Sequence, residues 1–322
     1  MEILVLHPGA LGDIILSLPA LRLLRERFQD ARITLAANTD FAAAVASGYA
    51  DTTFSLAALP LHRLYDSSVL PAEDLRFWRS YDRIVSWTGS ASEQFTSRLA
   101  SLHLCVIASS WKPEPGEPRH VADLFARSLQ PWLRPPAVTC APRVKLDPAS
   151  RQRGAEWLGE HGWDAEKPVV AMHPGAGSPA KRWPLDHFKA LAQRLRADAG
   201  FLVIEGPAEP GLGRSLAEGL GRAGVVAQRP PLELLAQIIS HCRIFVGNDS
   251  GIAHLAAALQ IPSVVLFGPT LPQHWAPPGP HVTVLRQAEH CPACNGDPDA
   301  RHSCMPAIPV EAVLRQLNSL LP

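Results

Sequence analysis

MEILVLHPGALGDIILSLPALRLLRERF, residues 1–28, decides the fold class. Ile3 to Leu6 is a wholly apolar run, as expected of a strand buried on both faces. Gly9 to Gly12 forms a turn, and from Ile14 to Phe28 the residues Leu18, Leu21, Leu24 and Phe28 recur at helical spacing. Strand, glycine turn and helix in that order open a doubly wound parallel sheet.

The pattern continues outward. In the first half it predicts strands at Ile33–Ala36, Ile84–Ser86 and Leu104–Ile107 and a helix over Val121–Ser128. Pro131 to Ser150 contains five prolines, which helix interiors exclude, and reads as an extended crossing between domains. A second cycle then predicts helices over Arg151–His161, Leu185–Asp198, Ser215–Leu220, Leu232–Ser240, Gly251–Leu259 and Val310–Leu321. Its strands are Val169–His173, Phe201–Glu205, Ile244–Gly247 and Ser263–Phe267. The expected organisation is two Rossmann-like α/β domains, 1–150 and 151–322, with the terminal helix free to pack back on the first.

Composition narrows the function classes. At 322 residues there is room for two domains with separate cores. Apolar residues make up 47%, and thirty basic residues balance thirty acidic ones, so no net field favours nucleic acid. Glu2 sits where an export signal needs positive charge, and the apolar run after it is too short to span a membrane. A cytoplasmic protein, monomeric, is expected. Cys105, Cys140 and Cys242 stand alone in apolar contexts and read as core residues.

The residues capable of chemistry fall at predicted strand ends. Gly9, Gly12 and Asp13 follow the first strand; Asp13 is either a helix cap or a carboxylate presented to a ligand. The spacing lacks the third glycine of a dinucleotide fingerprint, which disfavours hydride transfer. His173-Pro174-Gly175-Ala176-Gly177-Ser178-Pro179-Ala180-Lys181-Arg182 ends a second strand with small residues and two cations, which make either a phosphate cradle or a solvated pair. Asn248, Asp249 and Ser250 are three cap-type residues in succession before Gly251, with His254 one turn further along, and a diphosphate fits such a helix end. Glu209, after the strand ending at Glu205, is a ribose contact or a solvated turn residue. Cys291, Cys294, His302 and Cys304 offer four soft ligands of the kind zinc takes, in a spacing that is not a standard finger. Asp297-Pro298-Asp299 follows no apolar strand and is discounted as a metal site.

Together, GALGD (residues 9–13), HPGAGSPAKRWP (173–184), NDSGIAHLAAAL (248–259) and the Cys-Pro-x-Cys loop resemble glycosyltransferase family 9, the heptosyltransferases of lipopolysaccharide core synthesis, over nearly the whole chain. The resemblance implies a GT-B architecture, with two Rossmann-like domains facing a central cleft. It implies inverting, metal-independent transfer of a heptose from a nucleotide-diphosphate donor, ADP-heptose, bound by the carboxyl half, to a lipopolysaccharide-core or other glycan acceptor on the amino half. No cofactor is required, and zinc in the Cys/His loop would be an addition. By motif, Asp13 is the general base and Lys181 the donor-phosphate contact. Asp249, Ser250, Gly251 and His254 match the group that approaches the diphosphate and sugar, and Glu209 matches a ribose contact. Ala176 and Gly177 stand where some relatives carry two threonines, so backbone amides must replace hydroxyls there. A lipid-linked acceptor implies peripheral contact with the inner membrane, for which Arg76, Phe77, Trp78 and Arg79 are one candidate patch and core packing the other reading. The rival functions are a nucleotide-sugar epimerase and a non-catalytic sugar-nucleotide binding protein.

Overall fold

The computed structural model describes residues 1–38, 40–102, 105–137, 140–163, 167–287 and 304–321. The chain divides into two compact units, Met1–Lys145 and Leu146–Pro322.

The first unit holds five parallel strands: β1 Glu2–Leu6, β2 Arg32–Ala37, β3 Thr52–Ser55, β4 Arg83–Ser86 and β5 Val106–Ala108. Their spatial order is β3-β2-β1-β4-β5. The second holds six parallel strands: β6 Val169–His173, β7 Gly200–Glu205, β8 Gly224–Gln228, β9 Ile244–Asn248, β10 Ser263–Leu266 and β11 Val282–Leu285, in the order β11-β10-β9-β6-β7-β8. In each sheet the chain winds outward from one central strand, then returns to that strand's other side. The direction therefore reverses between β1 and β4 in the first unit and between β6 and β9 in the second. Loops at the carboxyl ends of such a pair separate and leave a crevice, the usual ligand position of an open α/β sheet.

The central strands are apolar because they are covered on both faces: Ile3 to Leu6 and Val170 to Met172 are fully buried. Helix Leu11–Arg27 starts earlier than the periodicity predicts and packs against helix Val121–Ser128 as well as carrying buried residues from Ile14 to Leu18 without a break. Burial on more than one side removes the narrow stripe that an amphipathic surface helix shows. The missed strands β3, β8 and β11 are sheet edges: the residues of β3 and β11 are all only half-buried, and β8 is little more covered.

The polyproline stretch gives way to helix Pro148–Glu160, capped by Asp147, whose Oδ1 accepts from the Ser150 N–H at 2.8 Å. The terminal helix Val310–Leu320 packs on helix Leu185–Leu195 and on β10 within the second unit, where the sequence left open a return to the first; Val313 and Leu317 join that unit's core.

Candidate functional site

In the second unit one side chain makes three of the bonds that join the two loops at the switch point. Asn248, the fully buried last residue of β9, donates through Nδ2 to the carbonyls of Pro174 (2.9 Å) and Gly175 (3.2 Å) and accepts the Trp183 N–H at 3.0 Å through Oδ1. His173 and Gly247 are register partners on adjacent strands, so the two loops leave the sheet side by side.

The three successive cap-type residues do three different things. Asn248 is the clamp just described. Asp249, 7% exposed, accepts from the Lys181 ammonium at 2.8 Å. Ser250 alone caps helix Gly251–Ala258, its Oγ accepting the Ala253 N–H at 3.3 Å. The earlier N–H groups of a helix have no intrahelical partner and, with the positive end of the dipole, favour an anion. His254 is buried on the same helix, one turn on, its N–H bonded to the Ser250 carbonyl.

Across the loop, Ala176 is buried while Gly177 is exposed with open space where a side chain would project. Neither cation is part of a solvated pair. Lys181 reaches Asp249, and Arg182 donates to the Ala176 carbonyl at 3.2 Å in its own loop and to the Ala208 carbonyl at 3.4 Å, tying the loop after β6 to the loop after β7.

Glu209 is not a solvated turn residue: it is 6% exposed, and its Oε1 accepts from the Gly206 N–H at 2.9 Å and lies 3.3 Å from His173 Nε2. Burial alone would push its carboxyl up, but the His173 contact, the Gly206 N–H and the nearby Arg182 charge outweigh that and hold it below the usual range. A side chain at Gly175 would overlap the Glu209 carboxylate, so glycine is needed for this approach. On its other side His173 Nδ1 lies 3.2 Å from Ser250 Oγ. Neither His173 nor Asn248 was singled out in sequence as positioning the site; a polar residue ending a buried apolar strand is the local signal they share.

In the first unit, Ala10 occupies the N-cap position and Asp13 sits in the first turn of its helix, where its Oδ2 accepts the Ala10 N–H at 2.8 Å. The carboxylate thus completes half of a capping box while standing at the switch point of the sheet. His7, fully buried, accepts the Gly9 N–H on Nδ1 at 3.0 Å. Phe125 and Trp87 face its ring at centroid distances of 5.2 and 5.4 Å. Burial in this apolar cage lowers its pKa to about 3, so it is a neutral acceptor at any working pH. A Cβ on Gly9 would come within 2.7 Å of the His7 ring and 2.8 Å of Asp13 Oδ2, whereas Gly12 lies inside the helix. Beside this turn is a pocket of about 510 Å³ formed after β1, β4 and β5, with Tyr65, Trp87, Trp111, Ser90, Ser110 and Lys112 in its wall.

The family model for glycosyltransferase family 9 (heptosyltransferase) matches residues 97–304, more than half of the chain. This chain belongs to glycosyltransferase family 9. Lipooligosaccharide heptosyltransferase 2 of Haemophilus influenzae is 34% identical over 166 residues, 48% of each chain. The chain spans about half the length of this and the other curated heptosyltransferase 2 relatives it matches. Lipopolysaccharide heptosyltransferase 1 of Escherichia coli O18:K1:H7 is 26% identical over 301 residues, 84% of this chain and 87% of the relative. Among solved structures, Escherichia coli ADP-heptose lps heptosyltransferase II superposes with a TM-score of 0.76 at 20% identity, covering 100% of this chain and 98% of that one, and so shares the GT-B fold.

Other expectations fare differently in this family 9 chain. Cys242 is buried, as expected, but Cys140 is exposed and Cys105 half-buried, because both lie outside the sheet interior. Trp78 is fully buried in the first unit's core with half-buried Phe77 packed beside it, the core-packing reading of these two rings, while Arg76 and Arg79 are exposed. Among the described residues no helix is long and apolar enough to cross a membrane. Cys291, Cys294, His302 and Asp297-Pro298-Asp299 lie outside the described residues; Cys304 is buried, and among the described residues no group of three or more potential ligands is placed to hold a metal.

Proposed function

We propose that the chain is an inverting, metal-independent glycosyltransferase that moves a heptose from ADP-heptose onto a lipopolysaccharide-core or related glycan acceptor. The observation that carries the donor half is the meeting, at the β6/β9 switch point, of the Lys181–Asp249 pair with the amino end of helix Gly251–Ala258. The acceptor half rests on Asp13 at the β1/β4 switch point beside the 510 Å³ pocket. The names of the relatives support heptose as the sugar, and one solved neighbour carries ADP-heptose in its own. By this reading residues 1–150 serve the acceptor and 151–322 the donor.

Chemically, an acceptor hydroxyl attacks the anomeric carbon, its proton passing to the Asp13 carboxylate. The bond to the diphosphate oxygen breaks, and the charge left on the nucleoside diphosphate is met by Lys181 and by the backbone N–H groups at Ser250 and Gly251. Asp249 holds Lys181 in place before the donor arrives. Gly177, without a side chain, lets the phosphates approach the backbone; His254 faces the sugar, and Glu209 meets the ribose from its buried position. A single displacement inverts the anomeric centre, and no step requires a metal ion.

The test is to incubate the protein with ADP-heptose and a heptose-lacking core acceptor in the presence of a chelator. Mass spectrometry should find one added heptose, and proton NMR an inverted anomeric configuration. Rearranged donor in the absence of acceptor would make the chain an epimerase; donor binding with no turnover would make it a binding module.

A further inference from the structure

The second unit contains a buried chain of three polar side chains from three loops: Glu209 after β7, His173 at the end of β6 and Ser250 before helix Gly251–Ala258. Its polarity can be deduced. Glu209 is ionised and only accepts, so the proton of a neutral His173 resides on Nε2, leaving Nδ1 as an acceptor. Ser250 Oγ already takes the Ala253 N–H, and its own proton therefore goes to Nδ1. In this arrangement the Ser250 hydroxyl is turned inward and cannot donate to an anion at the helix end.

Adding a proton to Nδ1 reverses that bond. The imidazolium becomes the donor, Ser250 Oγ accepts from both Nδ1 and the Ala253 N–H, and the hydroxyl proton is released to point toward the phosphate position. We propose that His173 is a positioning residue whose proton uptake turns the Ser250 hydroxyl from the imidazole to a diphosphate oxygen, so that nucleoside diphosphate binding and protonation of His173 promote each other. This rests on the donor-site reading above. The charged groups around the relay are the Glu209 carboxylate, Arg182, which ties the Ala176 and Ala208 carbonyls, and the Lys181–Asp249 pair one residue from Ser250; His254 lies one turn along the helix. Lys181 opposes a second positive charge, while Glu209 favours it directly at 3.3 Å. An arriving diphosphate adds negative charge on the Ser250 side and tips the balance toward the imidazolium.

The sign follows from the geometry: the imidazolium form is the one that frees the Ser250 hydroxyl, so affinity for a nucleoside diphosphate rises as pH falls. The experiment is calorimetric titration of ADP into the wild-type chain and into His173→Gln between pH 6 and 8.5, in buffers of different ionisation enthalpy. ADP's own phosphate ionisation is common to both proteins and subtracts out. The wild type should take up an additional fraction of a proton and bind several-fold more tightly at pH 6 than at pH 8.5; His173→Gln should lose both. Glu209→Gln carries the test independently, since removing the carboxylate must move the midpoint of the affinity profile to lower pH. Identical proton uptake in wild type and His173→Gln, or an unmoved midpoint in Glu209→Gln, would overturn the proposal while leaving the donor site standing. No ADP binding to the wild type would remove the donor-site reading and the proposal together.

Discussion

Lys181 and Asp249 are 68 positions apart in sequence and 2.8 Å apart in space, joined by an ion pair in which the carboxylate is buried and the ammonium is about one quarter exposed. The lysine is therefore held at the β6/β9 switch point before any ligand arrives. Preorganisation of this kind lowers the entropy that a binding site must give up on engaging a phosphate.

Lys181→Ala should weaken ADP binding by about 1.5–3 kcal/mol, the range for a hydrogen bond to a charged group. Asp249→Asn, which keeps the side-chain shape but releases the ammonium, should weaken it less. Calorimetry on both variants checks the order, and unchanged affinity in Lys181→Ala would return that lysine to a structural ion pair.

Asp13→Asn separates two roles that Asp13→Ala confounds. An asparagine oxygen still accepts the Ala10 N–H, so the helix start survives with less than about 1 kcal/mol lost. The base is gone, and turnover should fall ~10²–10⁴-fold with donor affinity intact. Steady-state kinetics beside a thermal unfolding curve decides the matter; a tenfold or smaller loss of turnover would exclude Asp13 as the base.

Asn248→Ala removes the clamp between the two donor loops and orphans two carbonyls and one N–H in a buried setting. Each buried orphan costs about 1–3 kcal/mol unless water replaces the lost partner. Denaturant unfolding of the variant should show a loss of that order or greater, together with weakened ADP binding. Full stability would mean that the loops are held by other contacts.

His7 makes folding sensitive to acid. Its pKa is 6.5 when unfolded and about 3 in the native chain, so between those values only the unfolded chain takes the proton. Its stability contribution is intact above 6.5 and declines as pH falls, by up to ~1.4 kcal/mol per pH unit. His7→Gln should flatten the difference in unfolding free energy across that window. Parallel pH curves for variant and wild type would show that the histidine is not refusing the proton.

Much of the architecture was readable from periodicity, because the central strands are continuous apolar runs: Val169–His173 has the bounds the sequence predicts, and so does helix Val121–Ser128. Edge strands such as Thr52–Ser55 were missed since half-burial leaves no such run. Within the site, local motifs pointed to Asp13, Lys181 and Ser250. They were silent on the Asn248 clamp and on His173, whose partners lie 65 to 77 positions away for the clamp and the serine and 36 for Glu209. Trp78 stayed open between two readings for a related reason: an aromatic residue flanked by arginines looks the same in sequence whether its ring faces lipid or, as here, a core.

The walls around Asp13 and those around Lys181 are built on different terms. The first-unit pocket is walled largely by loops such as 87–92 and 110–112, so exchanging Ser90 or Lys112 there should leave the strands beneath in place. The loops around Lys181 are cross-tied through Asn248, Arg182 and Glu209, where one exchange disturbs several bonds at once. With the acceptor on the first unit and the donor on the second, as proposed, descendants of this scaffold should acquire new acceptors quickly while their choice of donor stays almost frozen.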